Sequence, residues 1–145
     1  MVRNRVTRAV VAAGLVAAAL VVTGCRSGQV TYVVDGDTVD VDGITVRVQG
    51  IDTPERGQCG YSEAKNRVAQ LISGRKVLVA NGGGDTVDRY GREIAYVLWE
   101  GQDLGTILIA EGLAKARYDD LDGYDRHNLQ DRYRSLDAAT PNRCG

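Results

Sequence analysis

Residues Val30–Ile51 read VTYVVDGDTVDVDGITVRVQGI, a segment in which β-branched or aromatic residues alternate with polar ones. Alternation with a period of two is typical of strands that bury one face. An Asp-Gly step follows Val34 and another follows Val41, and this dipeptide is a common turn between paired strands. The segment therefore predicts a meander of three short antiparallel strands.

The chain beyond the meander predicts three helices and two further strands. Apolar residues at helical spacing indicate the helices, and runs of β-branched residues indicate the strands. The second helix begins at an aspartate suited to cap it and ends at a glycine. The predicted helices are 61–72, 103–112 and 124–139, and the predicted strands are 76–80 and 93–99.

Five short strands with one helix after the third favour a small barrel of the OB type over alternating βαβ winding. A chain of 145 residues fits a single domain. The expected fold class is α+β, a five-stranded OB-fold β-barrel with about three helices, and the expected domain spans residues 30–145.

The first 24 residues have the features of an export signal. Three arginines precede the apolar run AVVAAGLVAAALVV, which is short compared with the roughly 20 residues of a bilayer span. The run ends in VTGC, which resembles the bacterial lipobox, where a cysteine is lipidated and becomes the mature N-terminus. We interpret residues 1–24 as a lipoprotein signal peptide and residues 25–29 as the lipidated Cys25 with a short tether. An ordinary cleaved signal peptide and an uncleaved anchor are the alternatives.

Cleavage before Cys25 would remove three of the 18 Lys and Arg residues and none of the 19 Asp and Glu residues, leaving a net charge near −4. An acidic chain lacks the broad positive field that holds passive DNA-coating proteins on their ligand. Contact with a polyanion would have to be local or assisted by a metal. The expected location is the extracytoplasmic face of the cell membrane, through the lipid on Cys25, with a monomeric chain and no protein partner.

Three cysteines in an exported chain leave one without a disulfide partner. If Cys25 carries a lipid, Cys59 and Cys144 remain to pair in an oxidising compartment, and two unrelated free thiols are the alternative. With no CxxC spacing and a single histidine, a zinc site is not expected. That histidine, His127, lies in the predicted polar helix, where we expect a surface or packing role.

Candidate oxygen ligands for a metal ion lie where the predicted strands end. Asp35 and Asp37 flank a glycine at a strand junction, and Asp52 follows the third strand. Pro54 favours extended backbone at Thr53 and can turn the Thr53 carbonyl inward. Two carboxylates and a carbonyl suit Ca²⁺ or Mg²⁺. Taken alone, the Asp-Gly-Asp run also fits an ordinary turn.

Two arginines could hold a phosphate near these oxygens. Arg47 lies on the third strand, and its odd spacing from Asp52 puts the two on opposite strand faces unless a bulge or a bend at Gly50 intervenes. Arg92 precedes the last strand, and an arginine on an exposed strand is by default solvated. Two arginines, Glu55 and a divalent cation are nevertheless the groups that phosphodiester cleavage requires.

Four segments, VVDGDTVDV, VRVQGIDTPE, DRYGREIAYV and GLAKARY, together resemble the staphylococcal nuclease (thermonuclease) family. They follow the family's order, and the resemblance extends from Val30 to about Tyr133. The resemblance implies an OB-fold nuclease that depends on calcium and cleaves DNA and RNA to 3′-phosphate products.

The resemblance also implies roles for the residues at the centre of the site. Asp37 and Asp52 match the metal carboxylates, and the Thr53 carbonyl matches a third protein ligand. Glu55 matches the residue that abstracts a proton from the attacking water or orients it. The arginines that would hold the phosphate and stabilise its extra charge are Arg47 and Arg92.

Three outer positions match residues that contact substrate in the family. Tyr90 matches a tyrosine that hydrogen-bonds a terminal phosphate, Arg89 stands where a lysine is common, and Tyr118 matches a tyrosine that contacts a base or sugar. For both tyrosines, an aromatic cover over the barrel mouth is the alternative. A second tyrosine of the family is replaced by Asp120, and a lysine-rich loop is reduced to RGQCGY.

The predicted function is therefore that of a membrane-tethered, calcium-dependent nuclease without sugar specificity, acting on DNA and RNA outside the cytoplasm. The alternative is a non-catalytic OB-fold lipoprotein that binds oligonucleotides, because domains of this fold can lose their chemistry and keep the groove.

Overall fold

The computed structural model of the chain describes residues 24–144. Nearly all of the predicted signal peptide lies outside these residues. Across residues 24–144, no helix has both the length and the apolar character needed to cross a membrane. The elements in chain order are β1 (Cys25–Val33), β2 (Thr38–Val41), β3 (Ile44–Val48), β4 (Ile51–Asp52), α1 (Tyr61–Ile72), β5 (Lys76–Ala80), β6 (Glu93–Trp99), β7 (Gln102–Asp103), α2 (Leu104–Ala110), β8 (Lys115–Ala116), a 3-10 turn (Asp120–Asp122) and α3 (Gln130–Ala139).

The five longer strands form a closed barrel. The sheet order is β3-β2-β1-β5-β6-β7, and β3 also pairs with β6 in parallel, which closes the sheet on itself. This confirms the predicted α+β fold, a five-stranded OB-type barrel with three helices. The strands β4, β7 and β8 have two residues each, too few for a periodic pattern to indicate them in the sequence.

The first barrel strand begins earlier than predicted. Residues 25–29, expected to be a tether, form the first half of β1 and pair antiparallel with β5, from Cys25 opposite Ala80 to Gln29 opposite Lys76. The second half of β1 pairs with β2 after a shift in register. Residues 26–29 read RSGQ and lack β-branched side chains. They form a strand because they pair with β5, and not because of their own β propensity.

The core is rich in valines, most of them on the barrel strands, and the helices cover it. Val39, Val46 and Val97 have no exposed area. Helix α1 has the predicted bounds, and it buries the four apolar residues expected from its spacing. Helix α2 begins after Asp103, the predicted N-cap, whose Oδ2 accepts a hydrogen bond from the Thr106 N–H at 2.9 Å.

Helix α3 is shorter than predicted, because it begins at Gln130 and not at residue 124. The backbone N–H of Asn128 donates to a carbonyl of the loop after β5, and the N–H of Leu129 donates to the Tyr96 hydroxyl at 2.9 Å. These tertiary partners replace the bonds that would have extended the helix. His127 therefore lies in a loop and not in the predicted helix, and because it is 3% exposed it has the packing role, one of the two that were predicted.

The buried imidazole of His127 is held in its neutral form. The Tyr96 hydroxyl accepts from the Leu129 N–H, so its own hydrogen is free to donate to His127 Nδ1, 2.6 Å away. The Nε2 atom of the ring is buried and has no hydrogen-bond partner among the described residues. Burial lowers the pKa of His127 below its usual 6.5.

We expect the free energy of unfolding to decrease as the pH falls below about 6.5, by up to about 1.4 kcal/mol per pH unit. Below this pH the unfolded chain binds a proton on its free imidazole while the folded chain does not, and the loss continues down to the folded pKa. Urea unfolding at pH 7.5 and pH 5.5 measures this difference. A His127→Gln variant should show a smaller change across the interval, and an equal change would assign the effect to other groups.

Gly50 makes the bend between β3 and β4. Its φ is +76°, and a Cβ at this position would lie 2.4 Å from the His127 ring and 3.1 Å from Tyr133. We expect Gly50→Ala to destabilise the fold by about 3 kcal/mol, because overpacking adds to the strain of a left-handed backbone. The matched control is Gly43→Ala, where φ is +79° and no atom lies within 4 Å. Denaturant unfolding should show a clearly smaller loss for the control; equal losses would contradict the packing explanation.

The predicted disulfide between Cys59 and Cys144 is present. The two Cα atoms are 5.8 Å apart, and the cysteines are separated by 85 residues in sequence. In the chain-entropy account, a loop of this length contributes about 4–5 kcal/mol to the free energy of unfolding. Cys25 is free and exposed. Lipidation of Cys25 stays a prediction.

Candidate active site

Asp37 is the most buried carboxylate of the site. It lies one residue before β2 and is 4% exposed. Its Oδ2 accepts hydrogen bonds from the backbone N–H of Thr53 at 2.9 Å and from the Thr53 hydroxyl at 3.0 Å, and its Oδ1 accepts from the Thr38 hydroxyl at 3.1 Å. A Cβ on Gly36 would lie 2.8 Å from the Thr53 hydroxyl. Glycine is therefore needed for the approach of Thr53 to Asp37.

Arg47 connects the bend after β3 to the carboxylates. Its Nη1 donates to the carbonyls of Val48 and Ile51, both at 2.9 Å, which holds the two ends of the bend together. Its Nη2 lies 3.3 Å from Asp37 Oδ2 and 3.8 Å from Asp52 Oδ1. Of the two predicted ways to bring Arg47 to Asp52, a bulge or a bend at Gly50, the bend is the one that the structure shows.

Three carboxylates crowd this part of the barrel. Burial, and next the negative charge of Asp37, raises the pKa of Asp52 and also that of Asp35. Ionising Asp35 and Asp52 costs more in the folded chain than in the unfolded chain, so their burial and the repulsion from Asp37 oppose folding as the pH rises above their ordinary pKa. A bound cation would relieve this repulsion.

The donor set fits a hard divalent cation such as Ca²⁺. Asp37 and Asp52 offer carboxylate oxygens, and no described residue donates a hydrogen bond to the Thr53 carbonyl oxygen, which leaves it available as a ligand. Within residues 24–144, no group of three or more His, Cys, Asp or Glu side chains is arranged to hold a metal. Ca²⁺ takes about six to eight oxygen ligands, so two carboxylates and one carbonyl would leave positions for water and substrate oxygens.

Tyr118 forms one wall of the carboxylate cluster. Its hydroxyl donates to Asp52 Oδ1 at 3.3 Å, and the Arg47 guanidinium lies 5.4 Å from its ring centre. Its φ is +61°, a strained conformation for a bulky residue, and the backbone N–H is held by Asp122 Oδ2 at 2.7 Å. Tyr124, which the sequence did not indicate, packs edge-to-face on Tyr118 with ring centres 5.4 Å apart.

Arg92 is held by Asp88, a residue that the sequence analysis missed. The Nε of Arg92 donates to Asp88 Oδ2 at 2.6 Å, and Asp88 Oδ1 accepts from the backbone N–H groups of Tyr90 and Arg92. Burial acts to raise the pKa of Asp88, but these hydrogen bonds outweigh it and the pKa is lowered. Aspartate in the first place and glycine in the fourth place of DRYG are typical of a β-turn, and this signal could have found Asp88.

The predicted substrate residues Arg89 and Tyr90 lie beside Arg92. The guanidinium carbons of Arg89 and Arg92 are 4.8 and 5.3 Å from the Tyr90 ring centre, and the ring is 68% exposed. Strand β6 runs parallel to β3, with Ile94 beside Arg47, so Arg92 precedes the strand that neighbours Arg47. In the described part of the chain, no hydrogen bond or ion pair joins this group to the carboxylate cluster.

Glu55 belongs neither to the carboxylate cluster nor to the group around Arg92. Its side chain is exposed, and among residues 24–144 no cation lies within 4.0 Å of its carboxylate. Its backbone is held tightly, because the Glu55 N–H donates to Gln58 Oε1 at 2.8 Å and the Glu55 carbonyl accepts from the Gln58 N–H at 2.9 Å. An exposed carboxylate without an ion pair is free to accept a hydrogen bond from water.

The sequence between β3 and the end of α3 carries a family signature. Residues 45–140 match the family model described as staphylococcal nuclease homologue. The chain belongs to the staphylococcal nuclease family. Every predicted site residue from Arg47 to Tyr118 falls within the match. Asp37 lies upstream of it, and the structure joins Asp37 to the family region through Thr53 and Arg47.

Three curated proteins show how this staphylococcal nuclease family member compares with its relatives. Micrococcal nuclease of Shigella flexneri is 34% identical over 102 residues, which is 61% of this chain and 57% of that protein. In Bacillus subtilis, SPbeta prophage-derived endonuclease YokF is 38% identical over 95 residues (59% and 32% of the two chains), and endonuclease YncB is 36% identical over 95 residues (59% and 45%). The match thus spans between a third and rather more than half of each relative.

Proposed function

We propose that this chain is a nuclease that hydrolyses phosphodiester bonds of DNA and RNA outside the cytoplasm and depends on calcium. The observation that carries the proposal is the position of Arg47, whose guanidinium lies 3.3 Å from Asp37 and 3.8 Å from Asp52 in a half-buried site. The site therefore combines two carboxylates that could bind a cation with one fixed positive charge that could bind a phosphate. The names of the three relatives support phosphodiester hydrolysis as the reaction.

Asp37, Asp52 and the Thr53 carbonyl are the residues that would hold the cation. A bound Ca²⁺ would supply Lewis-acid polarisation of a phosphate oxygen. The hydrogen bonds from Thr53 and Thr38 orient the Asp37 carboxylate before any ligand arrives. This preorganisation keeps the two carboxylates together despite their repulsion.

The remaining steps belong to charged side chains of this chain. Glu55 accepts a proton from the attacking water or orients it toward phosphorus. Arg47 and Arg92 donate to phosphate oxygens whose negative charge increases in the transition state. The bond from phosphorus to the 5′ oxygen breaks, the leaving oxygen takes up a proton, and the phosphate stays on the 3′ oxygen of the other fragment.

Calcium-dependent cleavage tests this proposal. Purified chain is incubated with single-stranded DNA and with RNA, in calcium and in excess chelator. We expect cleavage only with calcium and 3′-phosphate ends on the products. Equal cleavage with chelator would contradict the calcium requirement, and tight oligonucleotide binding without turnover would favour the non-catalytic binding module.

Asp52→Ala should weaken calcium binding by at least about tenfold, because it removes one of two carboxylate ligands. Titration calorimetry measures the affinity without any substrate. Asp40→Ala is the matched control, since Asp40 lies on β2 and its carboxylate accepts from the Thr45 hydroxyl at 2.7 Å, away from the cluster. Equal affinity in Asp52→Ala and the wild type would contradict the assignment of Asp52 as a ligand.

We also propose that Cys25 carries the lipid that holds the enzyme on the extracytoplasmic face of the membrane. Cys25 is exposed and free at the start of β1, so its thiol is accessible. Membrane fractionation of the wild type and of Cys25→Ala tests the anchor. The variant should lose membrane association or fail to be processed, and unchanged fractionation would contradict lipidation.

A further inference from the structure

The loop from Glu55 to Gly60 connects the candidate base to helix α1. Every residue from Glu55 to Cys59 is exposed, so the loop has no side chain anchored in the core. Thr53, just before it, is 4% exposed and is fixed on Asp37. The position of the Glu55 carboxylate therefore depends on contacts within the loop itself.

Gln58 supplies two of these contacts. Its side-chain Oε1 accepts from the Glu55 N–H at 2.8 Å, and its backbone N–H donates to the Glu55 carbonyl at 2.9 Å. Its own carbonyl accepts from the Tyr61 N–H, the first residue of α1. Both peptide groups of Glu55 are thus tied to one residue, which is itself tied to the helix.

The next residue fixes the loop covalently. Cys59 is bonded to Cys144, and a Cβ on Gly60 would lie 3.1 Å from both the Cys144 sulfur and the Pro54 ring. Gly60 therefore packs against both the Pro54 ring and the Cys144 sulfur, so the residues at the two ends of the loop lie beside the disulfide. Gly60 has a φ of +87°, which permits this close approach.

The C-terminal tail that carries Cys144 is itself anchored. The Arg143 N–H donates to the Gly112 carbonyl at 3.1 Å, and its Nε donates to the Glu111 carbonyl at 2.7 Å. The Glu111 side chain in turn accepts three hydrogen bonds from Arg67 of α1, at 2.7–3.1 Å. The disulfide therefore joins the Glu55 loop to a rigid part of the fold.

We propose that Gln58 and the Cys59–Cys144 disulfide form a clamp that positions Glu55 for proton transfer, which makes Gln58 a positioning residue. This inference rests on the proposed function. A misplacement of about 1 Å in a reacting group can lower the rate of a reaction by roughly 100-fold, and an exposed loop without a clamp would hold the carboxylate in many places. The clamp reduces this freedom through the Glu55 backbone and the two ends of the loop.

Gln58→Ala tests the clamp with a change that removes only the side-chain contact. We expect kcat to fall by about 10- to 100-fold, while KM and the melting temperature stay close to wild type because Gln58 is exposed. Gln58→Glu keeps an acceptor for the Glu55 N–H and should recover most of the lost kcat. Gln70→Ala is the matched control, an exposed glutamine on α1, and should cleave at the wild-type rate.

Amide hydrogen exchange gives a second readout that does not need activity. In Gln58→Ala the Glu55 N–H loses its acceptor, so its exchange should become at least about tenfold faster, while the amides of β3 keep their wild-type rates. Unchanged exchange at Glu55 would overturn the clamp.

The covalent half of the clamp is tested with the double variant Cys59→Ala/Cys144→Ala, assayed well below its melting temperature. Its kcat should fall to a similar extent, and adding Gln58→Ala should cost little more, because both changes release the same residue. A wild-type kcat in Gln58→Ala, with an active wild type, would overturn the clamp and leave the nuclease proposal standing. A wild type that cleaves neither DNA nor RNA in calcium would overturn both.

Discussion

Glu55→Gln is expected to lower kcat by about 10²- to 10⁴-fold, the usual contribution of a positioned general base. The amide is nearly the same size as the carboxylate but accepts no proton at neutral pH. The backbone of Glu55 is held through its N–H and carbonyl by Gln58, so the substitution leaves the loop in place. Calcium affinity and the melting temperature should therefore stay at wild-type values.

Single-turnover cleavage of a short oligonucleotide in saturating calcium measures this effect on the chemical step. Glu63→Gln is the matched control, because Glu63 is an exposed acid in the first turn of α1. The control should cleave at the wild-type rate. Retained cleavage in Glu55→Gln would remove Glu55 from the mechanism, and equal losses in both variants would indicate a general effect of negative charge.

Arg47→Ala is expected to lower kcat/KM by about 10²- to 10³-fold and also to destabilise the fold by roughly 3 kcal/mol. The guanidinium serves two purposes in the same position. In the proposed reaction it donates to a phosphate oxygen, and in the structure it holds the Val48 and Ile51 carbonyls across the bend at 2.9 Å. Its removal also leaves Asp37, whose side chain is 6% exposed, without a cationic partner.

Steady-state cleavage and urea unfolding separate these two effects. Arg47→Lys keeps the positive charge but lacks the planar group that hydrogen-bonds two carbonyls and also lies beside two carboxylates, so it should recover some stability and little activity. Arg132→Ala, on the exposed face of α3, is the control for loss of an exposed positive charge, and it should change neither quantity. Wild-type kcat/KM in Arg47→Ala would contradict a role for Arg47 in the reaction.

The barrel could be predicted from the sequence because apolar and polar residues alternate in the meander, with Asp-Gly turns between its strands, and because β-branched runs indicate β5 and β6. Two boundaries could not be predicted. The first half of β1 has no strand propensity and forms on the exposed edge of β5. The start of α3 is delayed because the N–H groups of Asn128 and Leu129 bond to distant residues. Both boundaries depend on tertiary partners that single-sequence patterns do not contain.

The candidate site also contains features that the sequence predicted and features that depend on tertiary contacts. The odd spacing of Arg47 and Asp52 indicated that the two meet only through a bulge or a bend at Gly50, and the structure has the bend. Tyr124 reaches Tyr118 only because a 3-10 turn folds the chain between them, and no periodic pattern indicated that turn. Whether Arg92 acts on the same phosphate as Arg47 stays a prediction, since Asp88 holds its guanidinium in a separate group.

The disulfide between Cys59 and Cys144 also makes residues 59–144 a covalent ring. The exposed residues 84–87 lie within this ring, between β5 and β6. A protease that cuts there opens the ring but releases no fragment, because the piece with Arg47 and Asp52 contains Cys59 and the piece with Arg92 and Tyr118 contains Cys144. A nicked chain therefore keeps both groups of site residues on one molecule until the disulfide is reduced.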